Sequence, residues 1–225
     1  MESIKGKIIN HNDSFLGEIF FNNYIEEVVR NESATDDNFI IPGFVDLHCH
    51  GGNGFDTMEG TESINQMAEY HLSKGTTTLL ATTWTNTFSN TINALDKFNK
   101  LINSKTNLIG VHLEGPFINP KKLGAQPPLT QKPSKEFIDK AISIADIKVI
   151  TLAPEIEDME NFIPYLIKKN IKVQFGHSLA DYNCCNKFMK KYKIGFTHLY
   201  NAMSGNDHRN PGVLSAALID GQYAE

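Results

Sequence analysis

Residues 44–50 read Phe44-Val45-Asp46-Leu47-His48-Cys49-His50, a short apolar run that ends in two histidines of equal parity. Side chains alternate across a β-strand, so His48 and His50 share one face and Cys49 points to the other. With the histidines inward, Cys49 faces a covering layer and is set aside as a ligand. Taken alone, the pair reads more readily as two satisfied polar residues at a strand terminus than as metal ligands. The rest of the chain gives it weight. Further near-continuously apolar strands are expected at 77–83, 108–114, 148–153, 172–177 and 195–199, as strands buried on both faces require. Helices are expected between them, at about 61–73, 90–101, 134–144, 159–169 and 181–191. Phe137, Ile138, Ala141, Ile142 and Ala145 recur at helical spacing, and Ser134 and Asp181 read as helix starts.

Six strand–helix repeats in one direction leave an open doubly wound sheet or a closed (β/α)8 barrel. No G-x-G-x-x-G turn follows the first strand, which counts against a nucleotide-binding sheet. Polar residues able to do chemistry terminate several different strands, and barrel enzymes build their sites at that C-terminal rim. The fold class is therefore α/β, a TIM-type barrel with about six of its eight strands present. It occupies residues 42–225 and opens at Pro42-Gly43. A small β-sheet subdomain precedes it over residues 1–41, with β-prone runs at 5–10, 17–21 and 24–29.

Net charge is −5 with no basic stripe, which excludes the electrostatic footprint of a nucleic-acid binder. Nowhere do about 18 apolar residues run together, so no membrane-spanning helix is expected. The first ten residues lack a signal-peptide pattern. Cys49, Cys184 and Cys185 form no disulfide framework, metal knuckle or redox motif, which fits a cytoplasmic protein.

Four strands deliver His or Glu to one rim. His48 and His50 end the first, Glu114 ends the third before Gly115-Pro116, and His177 and His198 end the fifth and sixth. Imidazole and carboxylate together suit a divalent ion such as Zn²⁺ or Fe²⁺. His112 has the parity of Glu114 but lies one layer deeper, and is read as an interior histidine below the site.

The segments Pro42–Gly52, His112-Leu113-Glu114-Gly115-Pro116-Phe117, Gly124-Ala125-Gln126 and Thr197-His198-Leu199-Tyr200-Asn201-Ala202-Met203, in this order, resemble the N-acetylglucosamine-6-phosphate deacetylases of the amidohydrolase superfamily. The likeness runs from about residue 40 onward and is looser before it. It implies metal-dependent hydrolysis of the acetamido group of N-acetylglucosamine 6-phosphate, giving glucosamine 6-phosphate and acetate. Glu114, His177 and His198 would hold the principal ion, and His48 and His50 leave a second ion open. Substrate contacts carry over to Ala125, Asn201, Ala202 and Arg209, with Gln126 and His208 beside them. Arg209 would suit the sugar phosphate, because its planar fork pairs two phosphate oxygens. In this family that arginine can reach across a homodimer interface. Gln126 stands where some members carry histidine, and an amide donates a hydrogen bond but takes up no proton.

The same resemblance places the general acid/base aspartate at the end of an eighth strand, beyond residue 225. The chain is thus expected to be C-terminally truncated and inactive by itself. Two other readings stay open: a different amidohydrolase, such as a cyclic amidase or deaminase, and a non-catalytic fragment that binds metal or sugar phosphate.

Overall fold

A computed structural model describes residues 1–99 and 107–225, and its internal contacts divide the chain into two compact units, Met1–Phe44 and Val45–Glu225. The last two residues of the expected helix at 90–101 lie outside the described residues.

The first unit is a four-stranded sheet of β1 (Glu2–Ile9), β2 (Ser14–Phe21), β3 (Ile25–Arg30) and β4 (Phe39–Ile40), in the order β3-β2-β1-β4. The β1–β2 hairpin runs from Glu2 opposite Phe21 to Ile9 opposite Ser14, and β4 joins β1 in parallel. Alternation puts Ile8 and Ile19 on the buried face of this sheet.

The second unit is built on β5 (Phe44–Cys49), followed by a two-residue hairpin of β6 (Gly51–Gly52) and β7 (Phe55–Asp56). Helices and strands then alternate: α1 (Thr61–Ser73), β8 (Thr76–Thr83), α2 (Phe88–Asn99), β9 (Leu108–Glu114), α3 (Lys135–Ile144), β10 (Ile147–Leu152), α4 (Met159–Lys168), β11 (Lys172–Phe175), α5 (Tyr182–Met189), β12 (Ile194–Phe196) and α6 (Val213–Asp220). Six of the strands form one sheet in the order β12-β11-β10-β9-β8-β5, parallel from β8 to β12. Ser134 caps α3 by accepting from the Phe137 N–H, and Asp181 caps α5 by accepting from the Cys184 N–H, as the helix-start signals indicate.

The core lies between sheet and helices. Ile64 and Met67 of α1, Ile138 of α3 and Ile163 and Leu166 of α4 are fully buried against the strand residues Leu79, Val111, Leu113, Ile150 and Val173. Cys49 joins this layer, as parity requires, with its thiol beside Met67 and His71. The sheet is strongly curled. His48 on β5 and His198 just beyond β12, from opposite edges of the sheet, stand with ring centroids 5.7 Å apart. No helix among the described residues is long and apolar enough to cross a membrane.

Candidate metal centre

Glu114 is the last residue of β9, and its carboxylate is the point on which the site converges. His177 Nε2 lies 2.9 Å and His198 Nε2 3.0 Å from Oε1, while His50 Nε2 lies 2.8 Å from Oε2. His48 Nε2 stands 3.4 Å from Oε1. The imidazoles also approach one another, with Nε2···Nε2 distances of 2.9 Å for His177–His198 and 3.2 Å for His48–His50.

Second partners on the backbone orient two of these rings. His177 Nδ1 donates to the Lys122 carbonyl at 2.8 Å, and His50 Nδ1 donates to the Thr82 carbonyl at 3.2 Å. A carbonyl only accepts, so each of these nitrogens carries hydrogen and Nε2 is turned to the carboxylate. Packed lone pairs of imidazole and carboxylate repel unless a positive charge sits among them. The ligand atoms form two trios, His48–His50–Glu114 and Glu114–His177–His198, each with all atoms within 4.8 Å. Their separations approach the edge of a tetrahedron, roughly 3.4 Å for bonds of about 2.1 Å. The donor set therefore fits a divalent ion, one in each trio.

Electrostatics point the same way. Burial would raise the Glu114 carboxyl, but the imidazoles of His177, His198, His48 and His50 gathered around it hold it far below the usual carboxylate range. For His48, burial lowers the pKa, yet Glu114 and Glu225 outweigh it and push the imidazolium up to about 9.

His177 and His198 lie two residues beyond β11 and β12, not within them as the expected strand ends at 177 and 199 have it. Both have positive φ, 50° and 35°, a region costly for a branched or bulky residue and concentrated at functional sites. The chain leaves each strand to turn these imidazoles inward.

His112 lies beneath the centre. Its Nδ1 donates to the Leu47 carbonyl at 2.9 Å and its Nε2 pairs with Thr151 Oγ1 at 2.7 Å. Burial, then the neighbouring His48, pushes its pKa down to about 4, so it is neutral and structural at pH 7.

A cavity of ≈ 470 Å³ opens above the ligands, and Ala125, Gln126, Asn201 and Ala202 line it with them. Gln126 Oε1 accepts from the Thr85 N–H at 2.7 Å, which forces its amide nitrogen towards Glu114 Oε2, where it donates a short hydrogen bond. His208 and Arg209 are exposed on a loop whose backbone N–H groups at Arg209 and Asn210 bond Asp207; neither residue lines the cavity.

Two residues of the site carry no motif signal. Trp84, just after β8, lines the cavity, stacks on His50 at 3.8 Å and 15°, and donates its indole N–H to Asp56 at 2.7 Å. A lone tryptophan at a strand end was the available hint. Glu225 reaches His48 Nδ1 at 2.9 Å, a meeting that depends on the curl of the sheet.

A Bacillus subtilis N-acetylglucosamine-6-phosphate deacetylase is 35% identical over 100% of this chain and 59% of its own length. An Escherichia coli O157:H7 N-acetylgalactosamine-6-phosphate deacetylase is 30% identical over 87% of this chain and 54% of its own. The crystal structure of N-acetylglucosamine-6-phosphate deacetylase from Thermotoga maritima superposes with a TM-score of 0.88 at 33% identity, covering 99% of this chain and 62% of that one. The chain therefore spans about half to three-fifths of the length of these relatives. The sequence profile of the Amidohydrolase family matches residues 39–211, which take in all five candidate ligands, and the chain belongs to that family of metal-dependent hydrolases.

Proposed function

We propose that this chain carries the metal-binding part of a deacetylase that converts N-acetylglucosamine 6-phosphate to glucosamine 6-phosphate and acetate. The observation that carries the reading is the convergence of four imidazole Nε2 atoms on Glu114 at the floor of a ≈ 470 Å³ cavity. That volume is within the range of small-molecule sites. Glu114, His177 and His198 would hold the principal ion and His48 with His50 a second, Zn²⁺ or Fe²⁺ by donor type. A bound divalent ion supplies Lewis acidity and a water acidic enough to act as nucleophile near neutral pH.

The chain's own groups then bind and orient. Gln126 spends its carbonyl on Thr85 and one amide hydrogen on Glu114, leaving the second for an acetamido oxygen. It supports orientation and not acid catalysis. Asn201 and the backbone around Ala125 and Ala202 line the wall where the sugar would rest. Arg209, with His208, would meet the sugar phosphate, from the same chain or across a homodimer. Proton transfer is assigned to an aspartate that residues 1–225 do not supply.

Recognition and turnover are tested separately. N-acetylglucosamine 6-phosphate should raise the melting temperature of the Zn²⁺-loaded protein, while a cyclic imide and a nucleobase should not. N-acetylgalactosamine 6-phosphate belongs in the panel, because relatives of both specificities match. Acetate release by residues 1–225 should stay at background. Stabilisation by the cyclic imide or nucleobase alone would overturn the substrate assignment, and turnover at ordinary enzymatic rates would overturn the assignment of proton transfer.

A further inference from the structure

Two of the inward histidines have their rings fixed by backbone carbonyls, Lys122 for His177 and Thr82 for His50. For His48 that part falls to a side chain. Glu225 Oε2 accepts from His48 Nδ1 at 2.9 Å. The carboxylate is itself firmly placed: the Glu225 N–H donates to the Phe196 carbonyl at 2.9 Å, and the Leu199 N–H donates to the Glu225 carbonyl at 2.8 Å. These two bonds anchor Glu225 alongside β12, while His48 stands on β5 at the opposite edge of the sheet. Its other oxygen, Oε1, accepts from Gln174 Nε2 at 3.0 Å, and Gln174 Oε1 in turn accepts from Thr197 Oγ1 at 2.8 Å. Gln174 and Thr197 are both buried. Each carboxylate oxygen thus has an assigned donor, and the Gln174 amide is fixed by a hydroxyl behind it.

We propose that Glu225 is a positioning residue for the second ion site: it holds the hydrogen on His48 Nδ1 and so presents Nε2 to an ion shared with His50 and Glu114. This inference rests on the metal reading above. A carboxylate behind an imidazole fixes its tautomer and ring angle and makes the ligating nitrogen more basic, and loss of such a partner weakens metal binding about 10–100-fold. Without Glu225, the His48 ring keeps its strand position but loses the acceptor that sets its orientation.

The test titrates metal-free protein with Zn²⁺ against a chromophoric chelator, with His50→Ala identifying which binding event belongs to the H-x-H pair. Glu225→Ala should weaken that event about 10–100-fold and leave the event at Glu114, His177 and His198 unchanged. Glu225→Gln retains an oxygen acceptor for His48 and should recover most of the loss, with the Gln174 amide turned over to accept from the new amide. The urea midpoint of the metal-free protein should be the same for wild type and Glu225→Gln. An H-x-H event untouched by Glu225→Ala would overturn the inference alone. So would equal weakening of both events with a fall in urea midpoint, which marks a general packing role. Absence of any Zn²⁺ uptake by the wild type would overturn the metal reading itself, and the inference with it.

Discussion

Replacement of Gly115 by alanine tests whether the backbone turn after Glu114 holds the centre together. Gly115 has φ +77°, and a Cβ there would overlap Thr85 Oγ1 and stand 3.3 Å from Thr85 Cβ. Thr85 is no bystander. Its hydroxyl donates to the Glu114 carbonyl at 3.2 Å, and its N–H pins Gln126, which in turn bonds the Glu114 carboxylate. The left-handed backbone costs a non-glycine residue about 1–2 kcal/mol. Overpacking adds about 1–3 kcal/mol, and loss of the Thr85 hydroxyl bond about 1 kcal/mol. The sum is about 3–6 kcal/mol, a large share of the 5–15 kcal/mol by which domains are commonly stable. Gly54→Ala is the control, because Gly54 also has positive φ, +85°, but a Cβ there meets nothing within 4 Å. It should cost only the backbone term, about 1–2 kcal/mol. Urea unfolding of the two variants, compared at equal slope, gives the difference directly. Adding Thr85→Ala to Gly115→Ala should recover part of the loss, since it removes the overlapping oxygen. Equal destabilisation at the two glycines, with no coupling to Thr85, would refute the reasoning.

Other perturbations act on the same contacts. Glu114→Gln should lose metal at both trios by more than the about 100-fold that outer partners cost, whereas His50→Ala should lose it at one; metal content after chelator equilibration separates the cases. Ser134→Ala removes the acceptor for the Phe137 N–H at the start of α3 and should cost about 1 kcal/mol in urea without changing Zn²⁺ affinity. Burial, helped by Glu155 and Asp181, pushes the Cys184 thiol from 9.0 up to about 11. Its folded pKa lies above the unfolded one, so its contribution to stability is complete below pH 9 and is lost as pH rises through 11. The urea midpoint should therefore fall between pH 9 and 11, and by less in Cys184→Ser; an equal fall in both would count against this assignment.

The sequence displayed the parts of this protein that obey a simple period. Parity along 44–50 places His48 and His50 inward and Cys49 in the helix layer, and the structure agrees because β5 is regular there. Ser134 and Asp181 announce α3 and α5 through local hydrogen bonds that need no tertiary context. His112 was legible as a buried neighbour from its parity and depth alone. What stayed hidden depends on curvature or on departure from regular backbone. His177 and His198 reach the centre through positive-φ turns beyond their strands, so the strand ends expected at 177 and 199 run past the observed ones. Trp84 acquires its place from a ring stack and Asp56, and no spacing rule signals either. Glu225 meets His48 across 177 residues only because the sheet curls. α6, with Val213, Leu214, Ser215 and Ala216 all buried, lacks the polar face by which an amphipathic helix is recognised.

Glu114 belongs to both trios, and this has a thermodynamic consequence. Its Oε1 faces His177 and His198 while its Oε2 faces His50 and Gln126, so charge drawn to one oxygen is taken from the other. If each trio holds an ion, as proposed above, an ion at one would alter the grip of the other. By reciprocal linkage, whatever factor the first ion imposes on the second is returned unchanged by the second on the first.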